Sequence, residues 1–197
     1  MTPAPLAAAG DPELVMLGLA LAVVVMPIVY GIATYNRIVR LRQHMREAWA
    51  DVDVELKRRH DLIPNLVETV RAYAAHEREV LARLIELRNK AAADDTPRAL
   101  GEDETALQRQ LGRVFAIAEA YPELRADRHF LELQRELALT EDRLAAARRF
   151  YNGNVRELNS LVQTFPSNMV AGMAGATTAD YFELASDAER VAPRLSM

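Results

Sequence analysis

The sequence predicts an all-α protein: a single N-terminal transmembrane helix, then an antiparallel, up-down-up-down four-helix bundle with a C-terminal tail. Three observations predict it. Residues 14–33 carry no charge, and Arg37, Arg40, Arg42 and Arg46 follow directly. Beyond them, apolar residues recur at spacings of three and four, the period of a helix that buries one face. The composition is rich in Ala, Leu, Arg and Glu and holds only 8 glycines in 197 residues, which suits helices.

A bilayer's hydrocarbon core is about 30 Å thick and a helix rises about 1.5 Å per residue, so roughly 20 apolar residues span it. Residues 14–33 (LVMLGLALAVVVMPIVYGIA) have that length. Residues 1–13 hold no Lys or Arg but carry Asp11 and Glu13, unlike the basic start of a cleaved secretory signal. Tyr30 and Tyr35 read as interfacial anchors rather than as part of a cleavage site. Pro27 is tolerable in a membrane helix. Because Lys and Arg concentrate on the cytoplasmic side, the expected orientation puts the short head, residues 1–13, outside and the C-terminal domain in the cytoplasm.

The bundle is expected over residues 34–165. Its first helix, about 34–61, carries Ile38, Leu41, Met45, Ala48, Val52 and Leu56 on one face. The basic run Lys57-Arg58-Arg59-His60 suits a helix C-terminus, and Asp61 with Pro64 suits a cap and a first turn. The second helix, about 62–92, carries Leu66, Val67, Val70, Val80, Leu81, Leu84 and Leu87. Residues 93–104, acidic and containing Pro97 and Gly101, read as a linker. Thr105 with Gln108 fits a capping box that opens a third helix, about 105–121. Asp127 caps a fourth, about 127–165, in which Gly153 points to a close helix contact. Short connections make neighbours antiparallel. Residues 166–197 form a tail whose Met-rich segment 168–173 is expected to dock on the bundle.

Several function classes find no support. A net charge of −4 gives no basic field for nucleic acid. With no cysteine there are no disulfides, thiol nucleophiles or thiolate metal sites. None of His44, His60, His76 and His129 completes the Glu-x-x-His pairs of a di-iron bundle, and His76-Glu77 lacks a second ligand, since Val80 stands in its place. Nucleophile-elbow and phosphate-loop motifs are missing too. Asp53, His60 and Asp61 are the best-placed acid/base group, read first as ion pairs and caps and alternatively as an enzymatic or metal-dependent centre. Arg148 and Arg149 read as a solvated face, with one bridging to the Asp51–Glu55 acids, or as a receptor for an acidic peptide. Trp49 reads as a core residue at the edge of its stripe.

Residues 47–68 (EAWADVDVELKRRHDLIPNLVE) resemble the signature of the LemA family, as do residues 118–124 (AEAYPEL), 147–152 (ARRFYN), 165–168 (FPSN) and 181–183 (YFE), in family order. The resemblance implies a bacterial cytoplasmic-membrane protein with one N-terminal span, a short outer head and an antiparallel helical bundle. It brings no enzyme activity, cofactor or site residue, and it hints at organising other membrane proteins. The expected function is therefore a non-enzymatic scaffold whose partners are the bilayer and other membrane proteins, with no cofactor, nucleic acid or small-molecule substrate. The alternatives are an enzyme built on Asp53, His60 and Asp61, and a lipid-surface organiser using residues 37–46 and the Met-rich tail.

Overall fold

The computed structural model describes residues 12–93 and 96–184. Most of the expected head, and the tail beyond residue 184, lie outside the described residues. Among the described residues all regular structure is helical, in six helices: α1 Pro12–Tyr73, α2 Arg78–Ala91, α3 Pro97–Glu119, α4 Pro122–Ala126, α5 Arg128–Gln163 and α6 Ser167–Met173. Among the described residues only α1 is long and apolar enough to cross a membrane, and its apolar stretch is not buried in the protein.

α1 runs for 62 residues, about 93 Å, and corrects the first expected boundary. No helix ends near Asp61, because Pro64 lies inside α1 and not in a first turn. An interior proline has no N–H for the carbonyl four residues back, here that of His60. Arg88 of α2 makes up the deficit, donating from Nε to the His60 carbonyl at 3.1 Å. The chain turns instead at residues 74–77, so the expected second helix divides, its first half belonging to α1. Nothing in Ala-Ala-His-Glu announces that turn.

The acidic linker is also corrected. α3 begins at Pro97, with Pro at the first helical position, where its missing N–H costs nothing. Thr105 is therefore interior, not a cap, and its hydroxyl donates to the Gly101 carbonyl one turn back. The expected third helix ends close to where it was placed, at Glu119, and α4 is a short turn before α5. Asp127 does cap α5: its Oδ1 accepts from the Phe130 N–H at 2.9 Å.

Helix directions follow from the pairings. Arg37 of α1 meets Glu157 of α5 and Arg58 meets Glu136, so residue numbers rise along one helix as they fall along the other. α2 doubles back on α1 through Arg88, and α3 reverses along α2, with Lys90 meeting Asp103 and Gln110 reaching the Val80 carbonyl. α3 and α5 oppose each other through Gln108 and Glu141.

The apolar stripes form three successive cores along α1. The one farthest from the apolar segment joins Ile63, Leu66, Val70, Leu84, Leu107, Leu111, Val114, Phe130 and Leu137 from α1, α2, α3 and α5. A middle core gathers Ala48, Val52, Leu56, Leu100, Leu144, Tyr151, Val155, Phe182 and Leu184. The third, nearest the apolar segment, is Ile38, Leu158, Ala171 and Ala176.

The capping Asp127 also accepts from the Tyr73 hydroxyl, at 3.0 Å, which links the end of α1 to the start of α5. The Phe130 N–H, first, holds the Asp127 carboxyl below its ordinary pKa. The hydrogen bond from Tyr73 to the Asp127 carboxylate raises the pKa of the Tyr73 phenol. A carboxylate stabilised in the fold adds stability above its unfolded pKa, near 3.9, and loses it as pH falls through the lower folded value. Asp127→Ala is thus expected to lower the thermal midpoint at neutral pH. The gap from the parent should close on acidification below the ordinary aspartate range, as a pH series of melts would show.

Candidate functional site

Between the farthest and middle cores lies a polar layer. Arg59 and His60 of α1 are 1% and 6% exposed, and Glu104 of α3 is fully buried. Arg59 Nη1 donates to Glu104 Oε2 at 2.8 Å, and its Nη2 pairs with Glu141 of α5. His60 and Glu104 Oε1 are 2.6 Å apart; a carboxylate can only accept, so the ring Nε2–H donates. Glu141 also receives the Gln108 amide at 3.3 Å. With Arg88 on the His60 carbonyl, the layer ties α1, α2, α3 and α5 together. Beside it, Asp103 is buried and takes Lys90 Nζ at 2.6 Å.

The acid/base candidates divide here. Asp53 and His60 border one cleft of about 230 Å³, but the His60 ring nitrogen is engaged by Glu104. Asp61 is exposed and, among the described residues, meets Arg88 at 3.8 Å. Among the described residues no three His, Asp or Glu side chains are grouped to hold a metal ion. The partners that matter, Glu104 and Glu141, were not singled out from sequence. Glu104 was hidden in the supposed linker, although it continues the Leu100, Leu107, Leu111 face.

The second polar group fastens the tail. The Asn152 amide donates to the Phe182 carbonyl and accepts its N–H, both at 2.9 Å. Asn159 does the same to Ala179, at 3.0 and 2.8 Å. Seven helical residues rise about 10.5 Å, and three extended residues cover about 10 Å, so the two clamps match the tail's spacing. The Tyr151 hydroxyl donates to the Asp180 carbonyl at 3.1 Å, and burial, then Asp180, holds the phenol above its ordinary pKa. Trp49 packs at a tilt against the Tyr151 ring and edge-on against the Phe182 ring, with centroids 5.1 and 5.7 Å away. The tail reaches α3 where Gly101 stands: a Cβ there would collide with the Glu183 carbonyl. No atom approaches a Cβ at Gly153 within 4 Å, so the expected close contact there is absent.

Around Trp49 opens a cleft of about 720 Å³, bordered by Arg42, Met45, Arg46, Tyr151 and the tail residues Thr177, Thr178 and Ala179. Arg42 is held in its wall, donating to the Ala174 and Gly175 carbonyls. Arg149 donates back to Ala145 in its own helix, and Arg148 is half-buried beside it.

Fold and site define the class: an all-helical protein led by a long apolar helix, with its best-placed titratable groups committed to an interhelical layer. The chain belongs to the LemA family, whose family model matches residues 48–197. It is 27% identical to protein LemA of Metamycoplasma hominis over 79% of this chain and 71% of that protein. It is 24% identical to magnetosome protein MamQ 2 of Paramagnetospirillum magneticum, covering 87% of this chain and 75% of that one. For MamQ of Magnetospirillum gryphiswaldense the identity is 23%, over 90% and 77%.

Proposed function

We propose that this protein is a membrane-anchored, non-enzymatic scaffold. Residues 14–33 cross the cytoplasmic membrane, the head lies outside, and residues 34–165 form a cytoplasmic four-helix bundle closed by the docked tail. The observation that carries this reading is the continuity of α1 from Pro12 to Tyr73. One helix serves as apolar segment and as a wall of all three cores, so the body is mounted rigidly on its anchor. Membership of the LemA family and likeness to proteins named for the magnetosome support a membrane setting and a non-enzymatic role. The commitment of Arg59, His60, Glu104 and Glu141 to one another supports the same reading.

The partner is another membrane protein, received at the Trp49 cleft. Arg46 is exposed and borders the same cleft as Trp49, a combination that suits an acidic or aromatic segment close to the membrane. A photo-crosslinker at Arg46 of the full chain, in native membranes, should yield a discrete protein adduct that a crosslinker at exposed Glu132 does not. Equal labelling of lipid and bulk protein from both positions would sink the proposal.

A further inference from the structure

The face of α6 turned away from the body points to a second contact with the bilayer. Ala171, 1% exposed, docks α6 on the third core, and Ser167, one turn before it on the same face, is 4% exposed. Its other side presents Met169 and Met173, 64% and 91% exposed and one turn apart, with Phe165 of the preceding turn 75% exposed. Residues 165–173 carry no charge. Other exposed apolar side chains of α5, such as Leu131, Leu139 and Phe150, are spread along the helix and need no partner.

Height along α1 decides what meets this patch. Arg37 pairs with Glu157 in an antiparallel arrangement, so continuing the pairing brings the end of α5, near Gln163, opposite the last turn of the apolar segment. Burial agrees: Thr34, one residue past that segment, is only 6% exposed, and Ile38 packs on Ala171. Headgroups add about 5–8 Å on each side of the hydrocarbon core, or about four residues of helix rise. The corner between α5 and α6 therefore falls where the hydrocarbon core meets that zone. Exposed Tyr35 stands in that zone on α1 as an aromatic anchor, and exposed Arg40, about 7.5 Å further along the helix, adds a cation facing the anionic headgroups.

We propose that Phe165, Met169 and Met173 insert into the headgroup region beside the span, giving the protein two points of membrane contact. This rests on the proposal that residues 14–33 cross the bilayer. Two contacts would fix the tilt and rotation of the rod, which one span leaves to other forces.

The chain has no cysteine, so single substitutions can carry a polarity-sensitive fluorophore on the full-length protein. The vesicles are of phosphatidylethanolamine and phosphatidylglycerol, with a doxyl quencher placed either near the headgroup or deep in the acyl chain. A label at Met173→Cys should be quenched several-fold more by the shallow lipid than by the deep one. Val24→Cys should show the reverse, and Leu131→Cys neither. Quenching at Val24→Cys with none at Met173→Cys overturns the second contact and leaves the span standing. Blue-shifted emission at Met173→Cys without quenching means a protein covers the patch, and overturns it as well. No quenching at Val24→Cys sinks the span, and the corner with it.

Discussion

Glu104→Leu is expected to be among the most damaging single changes in this protein. It removes the carboxylate that accepts from both Arg59 and His60 and leaves a buried guanidinium with Glu141 alone. Removing one partner of a buried ion pair typically costs about 3–5 kcal/mol, because the remaining charge has lost its compensation. For a chain of this size that is a fall in thermal midpoint on the order of 10 °C. Melting the full chain in detergent, followed by circular dichroism, measures it. Arg59→Met combined with Glu104→Leu should recover part of the loss, since it removes the uncompensated guanidinium while His60 still lacks its acceptor. Asp61→Asn, on the exposed side, should change the midpoint by less than about 1 °C, as isolated surface pairs contribute little. A Glu104→Leu protein melting with the parent would show that the layer is not structural.

How much of this was legible in the sequence depends on the range of the forces involved. The apolar segment, the helical stripes and the Asp127 cap rest on period and on contacts within one turn, and all three appear in the structure. The expected break at Asp61 failed because Pro64 is a local breaker whose deficit is met from far away, by Arg88 on the next helix. Residues 93–104 misled in the opposite sense. Their acidity and their Pro97 and Gly101 imitate a linker, yet Pro97 starts a helix and Gly101 makes room for a tail some eighty residues further on. The ion-pair layer was half visible: Arg59 and His60 stood out, but their acceptors come from two other helices, and no local rule joins residues 59, 104 and 141. The asparagine clamp was harder still, since Asn152 and Asn159 read as polar positions on a helix until an extended chain lies across them.

Phe182→Ala carries the other large effect, and it isolates what the tail contributes. Phe182 is fully buried in the middle core, where truncating a phenylalanine typically costs about 3–5 kcal/mol. The tail can leave the body without α1 and α5 parting, so the cost should fall first on tail docking and only then on the farthest core. Trp49 reports this directly, being the chain's single tryptophan and packed edge-on against Phe182. Loss of the ring and of the tail around it exposes the indole, so Trp49 emission should shift to the red in the folded protein while helical content stays near that of the parent. Gly101→Ala should produce the same shift by another route, since its Cβ collides with the Glu183 carbonyl, a backbone group that can yield only if the tail lifts. Phe150→Ala, at a position 58% exposed, should leave the emission unchanged. If both tail variants kept the parent's emission, the docked tail would not be the lid of the Trp49 cleft, and a partner would have to be received without it.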